Sequence, residues 1–197
     1  MLFRSQELFH DAITPLIPSY DGRNQEPVVL PCKLPLLLML GAEGIAVGLS
    51  TRILPHNFIE LLDAQIAILR RKPFEVLPDF PQGGLMDASE YAGGNGRVRV
   101  RARIREKAKA AGTLVVTEIP FGATTESLIA SIEEAARAGK VPVRAIHDFT
   151  AGQPEIELVL NVGANPAQAV QALYAFTACE QALSSRIVVI RGNRPAE

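Results

Sequence analysis

The chain has 197 residues, of which 48% are hydrophobic and 21% charged, and its formal net charge is −1. This length and apolar content suffice for one large domain with a buried core or for one and a half smaller ones, and the near-neutral charge gives no overall sign of a polyanion partner. Two widely separated cysteines, Cys32 and Cys179, and three scattered histidines, His10, His56 and His147, argue against a disulfide framework and against a zinc site.

Neither a membrane span nor a secretion signal is predicted. The most apolar stretch runs from Val28 to Leu40 and is interrupted by Pro31, Lys33 and Pro35, so it falls short of the ~20 apolar residues that a span needs. The N-terminus shows no signal-peptide pattern. These features predict a soluble, cytoplasmic protein.

The first third of the chain reads as a mixed helix and loop segment. Residues 18–24 are rich in turn-forming residues and predict a loop. The apolar segment from Leu34 to Leu54 contains Gly41, Gly44 and Gly48. This pattern predicts a buried segment whose backbone closely approaches another element or a ligand.

A helix is predicted from Asn57 to Arg71. Asn57 is a favourable N-cap, Glu60 completes a capping-box pattern, and Pro73 ends the helix. The spacing predicts one apolar stripe, formed by Phe58, Leu62, Ile66 and Leu69.

After a Pro- and Gly-rich loop over residues 73–96, the chain alternates between strands and helices. The predicted strands are Arg97–Arg105, Leu114–Glu118, Val143–Asp148, Glu155–Leu160 and Arg186–Ile190. The predicted helices are Thr125–Ala138 and Pro166–Ala178, the second with Asn165 as its cap. Short connections favour an α+β fold, with an antiparallel sheet and helices packed on one face.

The strand that begins at Arg97 carries an arginine at every second position. Side chains alternate between the two faces of a strand, so one face presents five guanidinium groups: Arg97, Arg99, Arg101, Arg103 and Arg105. Neighbouring arginines would be ~6.6 Å apart over a row of ~26 Å, comparable to the ~7 Å spanned by two nucleotides of one DNA strand. Lys107 and Lys109 extend the row, against the single acid Glu106.

Two interpretations of this row remain open. Charges on a solvated edge strand block aggregation, although lysine and mixed charges are more usual for that purpose. The repulsion among like charges on one face favours the other interpretation, a surface that binds a polyanion. Such contacts position a duplex without reading its sequence.

Six segments, in order, resemble the A subunit of the type IIA DNA topoisomerases, which is the part of DNA gyrase or topoisomerase IV that cleaves DNA. Ser19–Gly22 resembles the family's N-Y-D-G, and Glu26–Pro31, followed by Lys33–Pro35, resembles the entry to its DNA-contacting floor. Gly44–Gly48 with Pro55–Asn57 resembles its G-I-A-V-G and P-P-H-N. Asp79–Gly84 resembles its D-F-P-T-G-G, Gly94–Gly96 its G-R-G, and Glu118–Phe121 its E-I-P-Y. The resemblance does not separate gyrase from topoisomerase IV.

This resemblance implies an internal piece of the breakage-reunion region. Residues 1–56 would be the end of the DNA-cleavage core with its DNA-bending segment, and residues 57–197 a partial tower domain. Ile45 takes the place of the isoleucine that the family wedges between base steps; from its apolar setting alone it would be a core residue. The implied DNA-binding residues are Ile45, Lys33, Arg52, Arg97, Arg99, Arg101, Arg103 and Arg105.

The chain departs from the family pattern in three places. Leu40 replaces a polar residue, and Thr124 with Thr125 replaces a basic one. Glu43 would be repelled by phosphates unless it points away or pairs with Arg52. These differences indicate a divergent branch of the family.

The resemblance also implies what lies outside this piece. The family's nucleophile is a tyrosine that follows an arginine on a winged-helix domain, and none of Tyr20, Tyr91 and Tyr174 follows an arginine. The chain is therefore expected to be inactive alone, as a fragment of an ATP-dependent isomerase. Mg²⁺ and ATP would be held by a partner B subunit in an A₂B₂ heterotetramer, and self-association would use other regions.

Two other functional classes were compared with the sequence. A stand-alone, non-catalytic nucleic-acid-binding module would use the same arginine strand. A small-molecule enzyme would need a phosphate-binding loop, and the spacing of Gly41, Gly44 and Gly48 is neither G-x-G-x-x-G nor a P-loop.

Overall fold

The computed structural model describes residues 11–108, 110–192 and 194–196, without the side chain of Asp11. In this part of the chain the α-helices are α1 Leu36–Leu40, α2 Phe58–Leu69, α3 Thr125–Arg137 and α4 Pro166–Phe176. The strands are β1 Leu16–Pro18, β2 Gln25–Pro27, β3 Ala42–Ala46, β4 Leu49–Ile53, β5 Leu85–Asp87, β6 Arg97–Arg101, β7 Arg103–Glu106, β8 Thr113–Glu118, β9 Val143–Asp148, β10 Ile156–Leu160, β11 Glu180–Ser184, β12 Val189–Arg191 and β13 Arg194–Ala196. Short 3-10 turns occupy Asp11–Ile13 and Ala92–Gly94.

The main core lies between a four-stranded antiparallel sheet and two helices. The sheet has the order β7-β8-β10-β9. Alternate apolar residues of its central strands join α3 and α4 in one buried cluster, which includes Leu114, Val116, Ile156, Leu158, Leu160, Leu128, Ile132, Ala169 and Leu173. The predicted α+β fold is confirmed.

The structure divides the predicted single sheet into several small ones. A second antiparallel sheet has the order β11-β6-β5 and covers a smaller core with Val98, Val100 and Leu183. The prediction of one strand over Arg186–Ile190 is wrong, because β11 ends at Ser184 and β12 begins at Val189. Pairing of β11 with β6, and not intrinsic strand propensity, determines where β11 forms.

Helix α2 begins as predicted but buries a different face. The Asn57 side chain accepts hydrogen bonds from the backbone N–H groups of Ile59 and Glu60. The predicted stripe is wrong: Leu61 and Ala64 are buried, whereas Leu69 at its far end is exposed. Leu61 and Ala64 line a cavity together with Leu38 of α1, so the tertiary neighbour selects the buried face.

Helices α3 and α4 begin at strong local caps. Thr124, one of the departures from the family pattern, forms a reciprocal capping box with Ser127. The Asn165 side chain caps α4, with Pro166 in the first turn, as predicted.

Both cysteines are free thiols. Cys179 is fully buried, and this burial raises the pKa of its thiol to about 11. Over the residues that the structure describes, no helix combines the length and the apolar character needed to cross a bilayer.

Candidate nucleic-acid interface

Strands β3 and β4 form a hairpin that projects into solvent. Gly48, at φ 78°, adopts the positive φ that closes the turn. Ile45 pairs with Ser50 on the hairpin, and the residue is 87% exposed. The prediction of a buried segment is therefore wrong for this part, and so is the interpretation of Ile45 as a core residue.

The foot of the hairpin requires a glycine at position 41. Gly41 has φ 72°, and a Cβ atom there would lie 2.6 Å from the carbonyl oxygen of Ile53. The predicted close approach of the backbone to another element is thus confirmed at Gly41. On the hairpin itself, Glu43 lies opposite Arg52, with 3.8 Å between a carboxylate oxygen and Nε. Glu43 therefore pairs with Arg52, which is one of the two arrangements expected to spare its carboxylate from repulsion by phosphates.

Backbone hydrogen bonds join the hairpin to the start of the arginine strand. The Arg52 N–H donates to the Arg186 carbonyl at 2.8 Å, and the Ser185 N–H donates to the Gly96 carbonyl at 2.7 Å. Ser184 of β11 pairs with Arg97 of β6. The hairpin foot therefore lies beside the Arg97 end of the strand.

The arginine strand shows the predicted alternation but is divided in two. Val98, Val100 and Ala102 are buried, and the arginines between them reach solvent. At Ala102 the chain leaves one sheet and enters the other, so β6 pairs with β5 and β11 while β7 pairs with β8. The five guanidinium groups consequently lie on two sheets.

Carboxylates from neighbouring segments accompany most of the row. In the described residues 97–107, ion pairs hold five of the six basic side chains: Arg97 with Glu90, Arg99 with Asp87, Arg101 with Glu180, Arg103 with Glu118 and Lys107 with Glu157. The Arg99–Asp87 and Arg103–Glu118 distances are 3.0 and 2.8 Å. The predicted concentration of positive charge is therefore largely offset by acids that are distant in sequence.

The other predicted DNA-binding residues, Arg105 and Lys33, form no ion pair with described residues. Arg105 and Arg103 line an open basin of about 800 Å³ together with Glu118 and Glu155. Lys33 is exposed in a bend before α1, and Lys109 lies outside the described residues.

The chain matches the family described as the A subunit of DNA gyrase/topoisomerase IV over residues 4–197. It belongs to this family. It is 45% identical over 188 residues to the A subunit of DNA topoisomerase 4 from Borreliella burgdorferi, covering 95% of this chain and 30% of that protein. It is 35% identical over 195 residues to the A subunit of DNA gyrase from Lawsonia intracellularis, covering 90% of this chain and 24% of that protein.

The predicted resemblance is thus confirmed, and relatives of both names occur. The DNA gyrase A subunit of Mycobacterium tuberculosis is 36% identical over 166 residues, which are 74% of this chain and 20% of that protein. This gyrase/topoisomerase IV A-subunit chain spans about a fifth to a third of the length of these relatives.

A buried His–Tyr contact in this A-subunit chain was not predicted. His56 Nδ1 donates to the Leu38 carbonyl oxygen at 3.0 Å, so in the neutral ring Nε2 accepts from the Tyr91 hydroxyl, at 2.9 Å. His56 and Tyr91 are 6% and 4% exposed, and burial raises the pKa of Tyr91. The contact connects α1, before the hairpin, to the loop before the arginine strand. The only sequence signal was the Pro55–Asn57 match to the A-subunit family.

The other two tyrosines of this A-subunit chain have different surroundings. Tyr20 is fully exposed. The Tyr174 hydroxyl donates to the Ala102 carbonyl oxygen at 2.9 Å, and the Arg101 guanidinium lies 4.9 Å from the centre of its ring. Tyr174 therefore supports the junction between β6 and β7.

Glu118 connects the second half of the arginine strand to the loop before β5. Its carboxylate accepts from the Gly84 N–H at 2.5 Å and from Arg103 Nε at 2.8 Å. The Gly84 N–H first, and Arg103 second, hold the pKa of Glu118 below its ordinary value of 4.5. A lowered pKa means that the carboxylate stabilises the fold above pH 4.5 and loses this effect as the pH falls through the folded-state pKa.

We expect Glu118→Gln to lower the free energy of unfolding at pH 7 by ~1–2 kcal/mol, because the amide NH₂ group would face one of the two donors. The difference between wild type and variant should shrink as the pH falls below 4.5. Urea denaturation at pH 7 and pH 3 measures both effects. Glu133→Gln, on an exposed part of α3, is the control and should change little at either pH; a Glu118 effect that is equal at both pH values would contradict this account.

Proposed function

We propose that this chain forms the part of a type IIA topoisomerase A subunit that seats and bends the duplex to be cleaved. The observation that carries the proposal is the exposure of Ile45 on a narrow, glycine-closed hairpin. An apolar side chain presented in this way can enter a base step, partly unstack it and kink the duplex. Arg52, on the same hairpin, and Lys33 would hold phosphates near the kink.

The arginine strand would support the outer part of the bent duplex. The side chains of Arg97, Arg99, Arg101 and Arg103 are 61, 47, 43 and 48% exposed. Ion pairs that are exposed on both sides contribute only ~0–1 kcal/mol, so phosphates can replace the carboxylates most readily at the two pairs of this kind, Arg97–Glu90 and Arg99–Asp87. Because the row begins at the hairpin foot, one duplex could lie along both elements.

The chemistry of the whole enzyme is also proposed from the family. The full-length protein would act in ATP-dependent passage of one duplex through another, inside the cell and on the chromosome. Mg²⁺ and ATP would be bound by the B subunit of an A₂B₂ heterotetramer, and self-association would use regions other than this one. This chain alone should bind duplex DNA without cleaving it.

A salt titration of duplex binding tests the role of the arginine strand. Each phosphate contact contributes ~0.9 to the slope of log K against log salt concentration, so R99A/R101A/R103A should reduce this slope by ~2.7. Fluorescence anisotropy with a labelled duplex gives the slope for both proteins.

The control variant R70A/R137A/R144A removes three exposed arginines. Arg70 follows the end of α2, Arg137 is the last residue of α3, and Arg144 lies in β9. The control variant has the same change in net charge and should leave the slope nearly unchanged. Equal slopes for the wild type and the strand variant would remove the arginine strand from the DNA surface.

A further inference from the structure

Strands β12 and β13 form a short two-stranded arm, which carries two arginines on one face. Arg191 lies directly opposite Arg194, and both are exposed. Side chains at opposed positions of an antiparallel pair project from the same face with Cβ atoms ~5 Å apart, and like charges there are destabilising. Within the described ranges no carboxylate is in ion-pair distance of either residue, in contrast to the arginine strand.

The arm lies beside the Ile45 hairpin. Arg52 and Arg186 form an antiparallel bridge, and the Val188 N–H donates to Thr51 Oγ1 at 3.1 Å. The chain from residue 186 to 191 therefore runs along β4 toward the hairpin tip.

Between the arm and the hairpin lies a groove of about 330 Å³. Its walls include Ile45, Leu49, Ile190 and Arg194. Ile190 is 81% exposed and lines this groove together with Arg194, while Arg191 lies opposite Arg194 on the arm. The arrangement is an apolar groove with positive charge at one side, and it faces the same region as Ile45.

We propose that Arg191 and Arg194 bind backbone phosphates of the duplex next to the base step that Ile45 opens. This inference rests on the proposed function and adds a second contact surface to it. The two arginine side chains start ~5 Å apart on one face, and they are long enough to reach neighbouring phosphates of one strand. The apolar groove suits the sugar edge of a widened minor groove. A duplex would supply the anions that residues 11–108, 110–192 and 194–196 do not place in ion-pair distance of these arginines.

The test is a salt titration of duplex binding by the 197-residue chain and its R191A/R194A variant. Loss of two phosphate contacts should reduce the salt slope by ~1.8 and weaken binding roughly 60-fold at about 0.1 M salt. R137A/R144A, with the same change in charge on α3 and β9, is the matched control and should reduce affinity only slightly. If the double variant does not fold by circular dichroism, R191A and R194A singly should each reduce the slope by ~0.9.

The outcomes separate this inference from the function on which it rests. If the wild-type chain and the double variant bind the duplex with equal affinity and equal salt slope, the arm is not a phosphate site. The proposed function, duplex binding by this chain, is then retained. If the wild-type chain does not bind duplex DNA at all, both proposals fail.

Discussion

Replacing Gly96 by alanine is expected to lower the free energy of unfolding by about 3 kcal/mol or more, which is at the upper end of the cost of overpacking. A Cβ atom at this position would overlap the carbonyl oxygen of Glu90 and would lie 2.8 Å from that of Tyr91. Both obstacles are backbone atoms, so no side-chain rotation relieves them. The Gly96 carbonyl also accepts from the Ser185 N–H, and a shift of the backbone would disturb the junction between hairpin and arginine strand.

Gly93→Ala is the matched control for this prediction. Gly93 has φ 61° and open space where a Cβ atom would lie, so alanine there meets only the cost of a left-handed backbone, ~1–2 kcal/mol. Urea denaturation of the two variants compares these costs. If Gly96→Ala were no more destabilising than Gly93→Ala, the close packing of the chain at Gly96 would be wrong.

Local sequence signals predicted the helix starts and the alternation of the arginine strand. Asn57 and Asn165 cap backbone groups only two or three residues away, so the whole interaction is contained in a short window of sequence. The alternation of arginine with Val98 and Val100 is equally local, because it follows from the two faces of one strand.

The partners of the arginine strand could not be predicted in the same way. Their carboxylates come from positions 87, 90, 118, 157 and 180, and only the pairing of strands brings them together. The break at Ala102 has the same origin, because it depends on which strands flank β6 and β7. A count of charges along the chain therefore overstated the positive charge of this face.

The burial of the glycine-rich segment from Leu34 to Leu54 could not be predicted from the sequence for a different reason. Its apolar residues are compatible with a buried element or with an exposed finger, and hydrophobic content alone favours burial. The hairpin register and the turn at Gly48 decide the matter. The resemblance to the A-subunit family pointed to Ile45 as the candidate wedge residue. Only the structure showed that its side chain is exposed.

Ile45→Ala is expected to abolish most of the bending of a bound duplex while changing affinity much less. A wedge costs a few kcal/mol of unstacking at the opened step, which offsets much of what its own contacts contribute to binding. The phosphate contacts of the basic side chains supply most of the affinity, and the substitution leaves them in place. The hairpin should remain folded, because the Ile45 side chain is almost fully exposed.

Energy transfer between dyes at the two ends of a short duplex tests the central claim most directly. Wild-type chain at saturation should shorten the end-to-end distance, as should Ile59→Ala, which removes an exposed isoleucine from α2 instead. Ile45→Ala, also at saturation, should leave the duplex nearly straight. Equal bending by wild type and Ile45→Ala, or a straight duplex in the wild-type complex, would contradict the assignment of Ile45 as the residue that bends DNA.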